Sequence, residues 1–285
     1  MITVTAATGS LGRLVVEDLL QRGVPAGEIV AAVRNPDKAA DLADRGVQVR
    51  EADYSRPETL AAAFAGTDRL LLVSGNEVGQ RLAQHTNVVQ AAVDAGVELI
   101  AYTSTLRADT NSTKLAEEHK TTEALIRESG LPYVFLRNGW YIENNTENLA
   151  TAFQFGTIAG SAGDGRISGA TRADFAAAAG VVLTSDGHDN TVYELGGTAY
   201  TMTEFAAEVA AQSGEPVTYQ SLPADAYTEM LVSAGLPAPF AALLVDSDLG
   251  ISRGELFTTS TDLERLIGRP STPLTDVVAA AVKTA

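Results

Sequence analysis

The 285-residue chain contains no cysteine. Disulfide frameworks, thiolate zinc sites and cysteine nucleophiles are therefore excluded. Histidine is nearly as scarce. His85, His119 and His188 lie too far apart in sequence to suggest a metal cluster, and no metal is expected. Basic residues are also few, 20 Lys and Arg against 36 Asp and Glu, for a formal charge of −16. A nucleic-acid partner needs a surplus of cations to displace counterions, and an anionic membrane surface needs the same, so neither is expected. No run approaches the roughly 18 apolar residues of a membrane span. Met1-Ile2-Thr3-Val4 reads as a strand, not as the charged start of a secretion leader, which leads to the expectation of a cytoplasmic protein.

Hydrophobic residues make up 45% of the chain, enough for an ordinary globular core. Over residues 1–137, short β-branched runs alternate with amphipathic helical stretches about six times. Strands are expected at Ile2–Thr5, Ile29–Val33, Val47–Arg50, Arg69–Val73, Glu98–Thr103 and Pro132–Leu136. Leu11, Val15 and Leu19 mark one face of the first helix, and Asn35 with Pro36 opens another. Such alternation implies right-handed crossovers between parallel strands, an α/β doubly wound (Rossmann) sheet. Residues 138–285 are less regular and are expected to form a smaller, mostly helical C-terminal lobe. Within them Gly156–Gly169 reads as loop, and Thr191–Leu195 as a strand returning to the sheet. Ser55, Asp174 and Thr203 read as helix caps. The acid is unevenly divided. Residues 1–137 carry 14 bases and 18 acids, a net of −4, whereas residues 138–285 carry 6 and 18, a net of −12. The first part keeps the cations that a phosphorylated ligand needs.

Ala6-Ala7-Thr8-Gly9-Ser10-Leu11-Gly12 joins the first strand to the first helix. A glycine at position 9 lets a pyrophosphate approach the backbone, and one at position 12 lets the helix pack on the strand. The helix start offers unpaired N–H groups and a positive dipole end. Thr8, Gly9, Ser10, Leu11 and Gly12 are therefore expected to bind a dinucleotide. Ala6 stands where such turns usually carry glycine, so it is expected to keep a negative φ. Arg34 follows the second strand, where an acid would hold the ribose hydroxyls of NAD. A guanidinium there suits a 2′-phosphate, so NADPH is the expected cofactor, with NADH still open. Asp53 is a candidate acceptor for the adenine, although a turn-capping aspartate fits equally well. Ser74 ends the fourth strand, and Thr103 and Ser104 end the fifth. Ser74 is small enough for the backbone to run beside a cofactor, and the hydroxyls of Thr103 and Ser104 suit the nicotinamide ribose and a reacting oxygen, although turn capping also fits them. Asn138, Trp140 and Tyr141 follow the sixth strand and suit an aromatic ligand, though Trp140 equally suits core packing. His119 shares a helical face with Leu115 and Ile126, and is a candidate proton donor if it is not a structural group.

Tyr-x-x-x-Lys is also missing. None of the tyrosines at 54, 102, 133, 141, 193, 200, 219 and 227 has a lysine four residues on, and Tyr133…Arg137 falls on a strand. Hydride addition to a simple ketone leaves an alkoxide about as basic as hydroxide in bulk water, far more basic than a phenolate. Addition to a quinone leaves a phenolate-like oxygen, pKa ~10, which needs no strong proton donor. A chain of this kind can reduce quinones largely by positioning them.

Thr8-Gly9-Ser10-Leu11-Gly12, Val33-Arg34-Asn35-Pro36, Ala101-Tyr102-Thr103-Ser104 and Leu136-Arg137-Asn138-Gly139-Trp140-Tyr141-Ile142-Glu143-Asn144 resemble the NmrA-like atypical short-chain dehydrogenases. They most resemble the bacterial NAD(P)H:quinone oxidoreductase type 2 group. The likeness continues through Ser74–Arg81, Ala162–Gly165, Ala170–Asp174 and Val192–Leu195. It implies a Rossmann domain, NADPH binding and two-electron reduction of quinones without flavin or metal. Relatives of that kind also include tailoring enzymes of aromatic polyketides and cofactor-sensing regulators, and both remain open at this level. A homo-oligomer is compatible with all three.

Overall fold

A computed structural model describes residues 1–77 and 79–285. The chain forms two compact units. One holds Met1–Thr105, Glu118–Asn138 and Arg172–Tyr193, and the other holds Leu106–Glu117, Gly139–Thr171 and Glu194–Ala285.

Up to Asn138 the chain alternates β1 (Ile2–Thr5), α1 (Ser10–Gln21), β2 (Ile29–Val33), α2 (Ala40–Asp44), β3 (Gln48–Glu51), α3 (Pro57–Ala63), β4 (Arg69–Leu72), α4 (Arg81–Asp94), β5 (Leu99–Thr105), α5 (Lys114–Glu128) and β6 (Tyr133–Asn138). The sequence then continues through α6 (Glu143–Thr146), α7 (Leu149–Phe155), β7 (Thr157–Gly160), β8 (Arg166–Ser168), α8 (Arg172–Thr184), β9 (Thr191–Leu195), β10 (Ala199–Thr201), α9 (Met202–Ser213), β11 (Thr218–Ser221), α10 (Ala224–Ser233), α11 (Ala238–Ser252), α12 (Asp262–Ile267) and α13 (Leu274–Val282). Seven strands form one sheet in the order β3-β2-β1-β4-β5-β6-β9, so Thr191–Leu195 does return to it. The pairings of β1 with β2 and β4, β2 with β3, and β5 with β4 and β6 are all parallel.

Strand order reverses between β1 and β4, the place where open α/β sheets bind ligands at their carboxyl ends. β2 is buried throughout, as a strand covered on both faces must be. Phe64, Tyr102 and Phe135 fill the core between the sheet and α3 and α4. In α1, Leu11, Val15 and Leu19 are buried, as their spacing requires. The second unit has its own core around Ile142, Tyr200, Phe205, Val209 and Ile251.

Several local expectations are corrected. Gly156–Gly169 is not simply loop, because β7 pairs in parallel with β11 and β8 pairs antiparallel with β10. Those partners lie far along the chain, where a small-residue composition gives no local sign of them. Asp174 is not an N-cap. It lies inside the first turn of α8, fully buried, where a carboxylate suits the helix dipole. Thr201, not Thr203, caps α9, and it forms a reciprocal capping box with Glu204. Ser55 does not cap α3. Pro57 fixes the start of that helix, and Arg56 occupies the cap position without a side-chain bond. Asn35 does cap, accepting from the Asp37 amide at 3.0 Å.

Candidate functional site

The first-unit site is built at the carboxyl ends of the parallel strands. Gly9 is the extended N-cap residue of α1, and no side chain caps the first amides of that helix. Those donors, together with the dipole, leave an electropositive helix end at the sheet's switch point, of a kind that suits an anion. A Cβ added at Gly12 would lie 2.4 Å from the Ala6 carbonyl oxygen, so glycine there is what lets α1 approach the turn. The Gly9 amide donates to the same carbonyl at 2.8 Å. Ala6 has a φ of 47°, so the expectation of a negative φ is overturned. The tight strand-to-helix turn imposes the left-handed conformation, at a cost of about 1–2 kcal/mol for a residue with a Cβ. Thr8 is half-buried, Ser10 is exposed, and the Leu11 side chain lies in the core, so only the Leu11 backbone can face a ligand.

Arg34 follows β2 directly and is 69% exposed, and its Nη1 donates to Glu77 Oε1 at 2.9 Å. Gln84 also donates to Glu77, at 2.9 Å, and to Ser55 Oγ, at 3.1 Å. Residues 6–12 and Arg34 therefore fit a phosphorylated dinucleotide: uncapped amides at a glycine approach, and an accessible guanidinium one strand away. Asp53 serves its own turn. Its carboxylate accepts from the Ser55 amide at 2.9 Å and from Arg56 Nε at 3.3 Å.

The β4–α4 connection is held from beneath by buried polar groups. Thr103 Oγ1 accepts from the Ser74 amide at 2.8 Å, so Thr103 ties the end of β4 to β5. His85 Nε2 accepts from the Gly75 amide at 3.1 Å. That nitrogen is thus unprotonated, and Nδ1–H donates to Thr122 Oγ1 at 3.0 Å. Burial, aided by the nearby Arg81 cation, pushes the His85 imidazole down to about 3. Arg81 donates from Nε and Nη2 to the Gly75 carbonyl and from Nη1 to Glu118, at 2.9, 2.7 and 2.7 Å. Of the Ser74–Arg81 segment, Val78 lies outside the described residues.

Ser104 Oγ donates to Glu123 Oε1 at 2.7 Å. Arg137 holds the same carboxylate, Nε to Oε1 at 2.9 Å and Nη2 to Oε2 at 2.8 Å. All three residues are buried. The Ser104 proton is therefore committed to a carboxylate, and Ser104 offers a ligand lone pairs, not a proton. His119 is also buried, with Nδ1 2.7 Å from the Tyr102 hydroxyl. Burial first, then the nearby Arg81 cation, hold its pKa well below the usual range. Asn138 is the last residue of β6, in register with Thr105 of β5, and it is buried.

In the second unit, Trp140 is half-buried and packs against the core, and its indole Nε1 donates to Asn145 Oδ1 at 3.1 Å. Tyr141 forms an isolated bridge with Ala170. Sequence reasoning missed Glu123, Asn145 and the role of His85. One signal was available. On α5, His119, Thr122, Glu123 and Ile126 share a buried face, and polar residues on such a stripe mark a built network.

The family model described as NAD(P)H-binding matches residues 6–184. Quinone oxidoreductase 2 of Escherichia coli (strain K12) is 50% identical over 279 residues, which is 98% of this chain and 97% of that protein. The crystal structure of the NADPH-dependent quinone oxidoreductase of Escherichia coli complexed with NADPH superposes with a TM-score of 0.96. It covers 98% of this chain and 99% of that one, at 50% identity. The Citrobacter sp. triphenylmethane reductase complexed with NADP(H) matches at 43% identity and a TM-score of 0.94, over 99% and 100% of the two chains.

Proposed function

The chain belongs to the NAD(P)H-binding family, and we propose that it works as an NADPH-dependent oxidoreductase that reduces quinones. The observation that carries this reading is the uncapped start of α1 at the β1–β4 switch, with the exposed Arg34 guanidinium at the next strand. The 50% identity to quinone oxidoreductase 2 supports it.

The amides of Ser10, Leu11 and Gly12 hold the pyrophosphate beside Gly9, and Arg34 holds the 2′-phosphate, which favours NADPH over NADH. Ser74 and Asp53 line the adenosine side. When bound, the reduced nicotinamide supplies a hydride. Ser104, its proton bound to Glu123, accepts a hydrogen bond from a carboxamide or a hydroxyl. Asn138 supplies a carboxamide at the end of β6. Trp140 and Tyr141 provide aromatic surface for the quinone ring.

The buried groups suit a quinone better than a simple ketone. His85 accepts and does not donate at Nε2, His119 is held neutral, and Ser104 has its proton engaged. A hydroquinone oxygen with a pKa of ~10 takes its proton from water without a strong acid in the site. Cytoplasmic residence is proposed from the likeness to quinone oxidoreductase 2 of Escherichia coli. Among the described residues no helix is long and apolar enough to cross a membrane.

Mixing the protein with NADPH and a panel of benzo- and naphthoquinones tests the proposal. Quinone-dependent loss of reduced-nicotinamide absorbance is expected. Binding of NADPH without any such loss would contradict it.

A further inference from the structure

The geometry points to Asn145 as a positioning residue that fixes the plane of the Trp140 ring and thereby sets the grip on the quinone. This inference rests on the proposed role of Trp140 as a substrate surface.

The backbone around Trp140 has little freedom. The Gly139 amide donates to the Leu195 carbonyl at 2.7 Å, the Ala170 amide donates to the Trp140 carbonyl at 3.0 Å, and the Ile142 amide donates to the Ala170 carbonyl at 3.1 Å. A Cβ on Gly139 would lie 2.2 Å from the Ser168 carbonyl oxygen, so this stretch is pressed against the end of β8. With the backbone pinned, only the two side-chain torsions of Trp140 can turn its ring.

Asn145 removes that remaining freedom. An indole N–H can only donate, so the atom of Asn145 that meets it at 3.1 Å is the carbonyl oxygen. The amide nitrogen is then turned toward the Tyr200 hydroxyl, 3.0 Å away. Tyr200 is 3% exposed and lies beside Phe205, with ring centroids 6.2 Å apart. The carboxamide therefore has one allowed orientation and links the indole to a buried anchor. α6, which carries Asn145, spans only Glu143–Thr146 and supplies little stiffness of its own. A ring held at one angle before the ligand arrives does not have to be ordered on binding.

Trp140 is the single tryptophan, so its fluorescence reports this ring alone. With Asn145→Leu, the indole should show faster anisotropy decay. The KM for quinone should rise roughly 3–10-fold, with kcat and NADPH affinity within about twofold of wild type. Asn145→Asp keeps the acceptor for the indole and should restore both readouts. Tyr200→Phe removes only the anchor and should shift both in the same direction by less. It also serves as the test if the leucine variant fails to fold. A freed ring with an unchanged KM for quinone would overturn the inference. If Trp140→Ala itself leaves that KM unchanged, the substrate-surface reading fails, and the inference falls with it.

Discussion

Arg137 grips both carboxylate oxygens of Glu123, at 2.9 and 2.8 Å, while Ser104 donates to one of them at 2.7 Å. The arginine comes from β6, the glutamate from α5 and the serine from β5. Breaking a buried ion pair by deleting one partner costs about 3–5 kcal/mol, and the half-exposed Arg127, 3.4 Å from Glu123 Oε2, compensates the remaining charge only in part. Arg137→Leu should lower unfolding free energy in denaturant titrations by that amount. Ser104→Ala, which leaves the ion pair intact, should cost no more than ~1–3 kcal/mol. Equal losses for the two variants would refute the assignment.

Ala6 and Gly12 give a second test. Ala6 is held at φ 47°, so Ala6→Gly relieves strain and adds freedom to the unfolded chain. The two effects oppose, and a net gain of up to ~1 kcal/mol is expected in thermal or chemical denaturation. Gly12→Ala drives a Cβ into the Ala6 carbonyl and should cost ~1–3 kcal/mol and weaken NADPH binding. Unaltered NADPH affinity in a folded Gly12→Ala protein would argue against this turn as the phosphate site.

Arg34→Glu should weaken NADPH roughly 10–100-fold and NADH by less than about threefold, as read by equilibrium titration. Glu77 already competes for the guanidinium at 2.9 Å, so Glu77→Gln should tighten NADPH modestly. Equal losses of both cofactors in the Arg34 variant would remove the 2′-phosphate assignment.

Asp248 Oδ2 accepts from the Ser161 amide at 2.6 Å. Burial outweighs that bond and pushes the Asp248 carboxyl up to about 6. An unfolded aspartate ionises near ~3.9. Between those values the folded state binds more protons, so this group's contribution is fully present below pH ~4 and is lost as pH rises to about 6. Asp248→Asn keeps an acceptor for Ser161 and should stabilise the protein at pH 7 by ~1–3 kcal/mol. It should also flatten the stability profile over that window. An unchanged profile would contradict the burial argument.

The Rossmann half was legible because its signals are local. Leu11, Val15 and Leu19 recur at helical spacing, and Ile29–Val33 is a continuous apolar run. The second unit was read less well. β7 and β8 depend on β11 and β10, and nothing in Gly156–Gly169 encodes a partner so distant. The candidate site shows the same division. Arg34 and the turn at Gly9–Gly12 are contiguous motifs. By contrast, Glu123 meets Ser104 and Arg137 only once the sheet has formed, and Asn145 looks like any polar residue until Tyr200 is placed beside it. Ala6 departs from its expected negative φ because the turn's geometry, not the residue's preference, sets it.

The most direct measurement is an anaerobic single turnover with chelator-treated protein, NADPH and a quinone. Quinone-dependent loss of NADPH is expected, matched mole for mole by hydroquinone and faster than in the absence of protein. NADPH that binds tightly yet is consumed no faster than without protein, across the whole quinone panel, would contradict it.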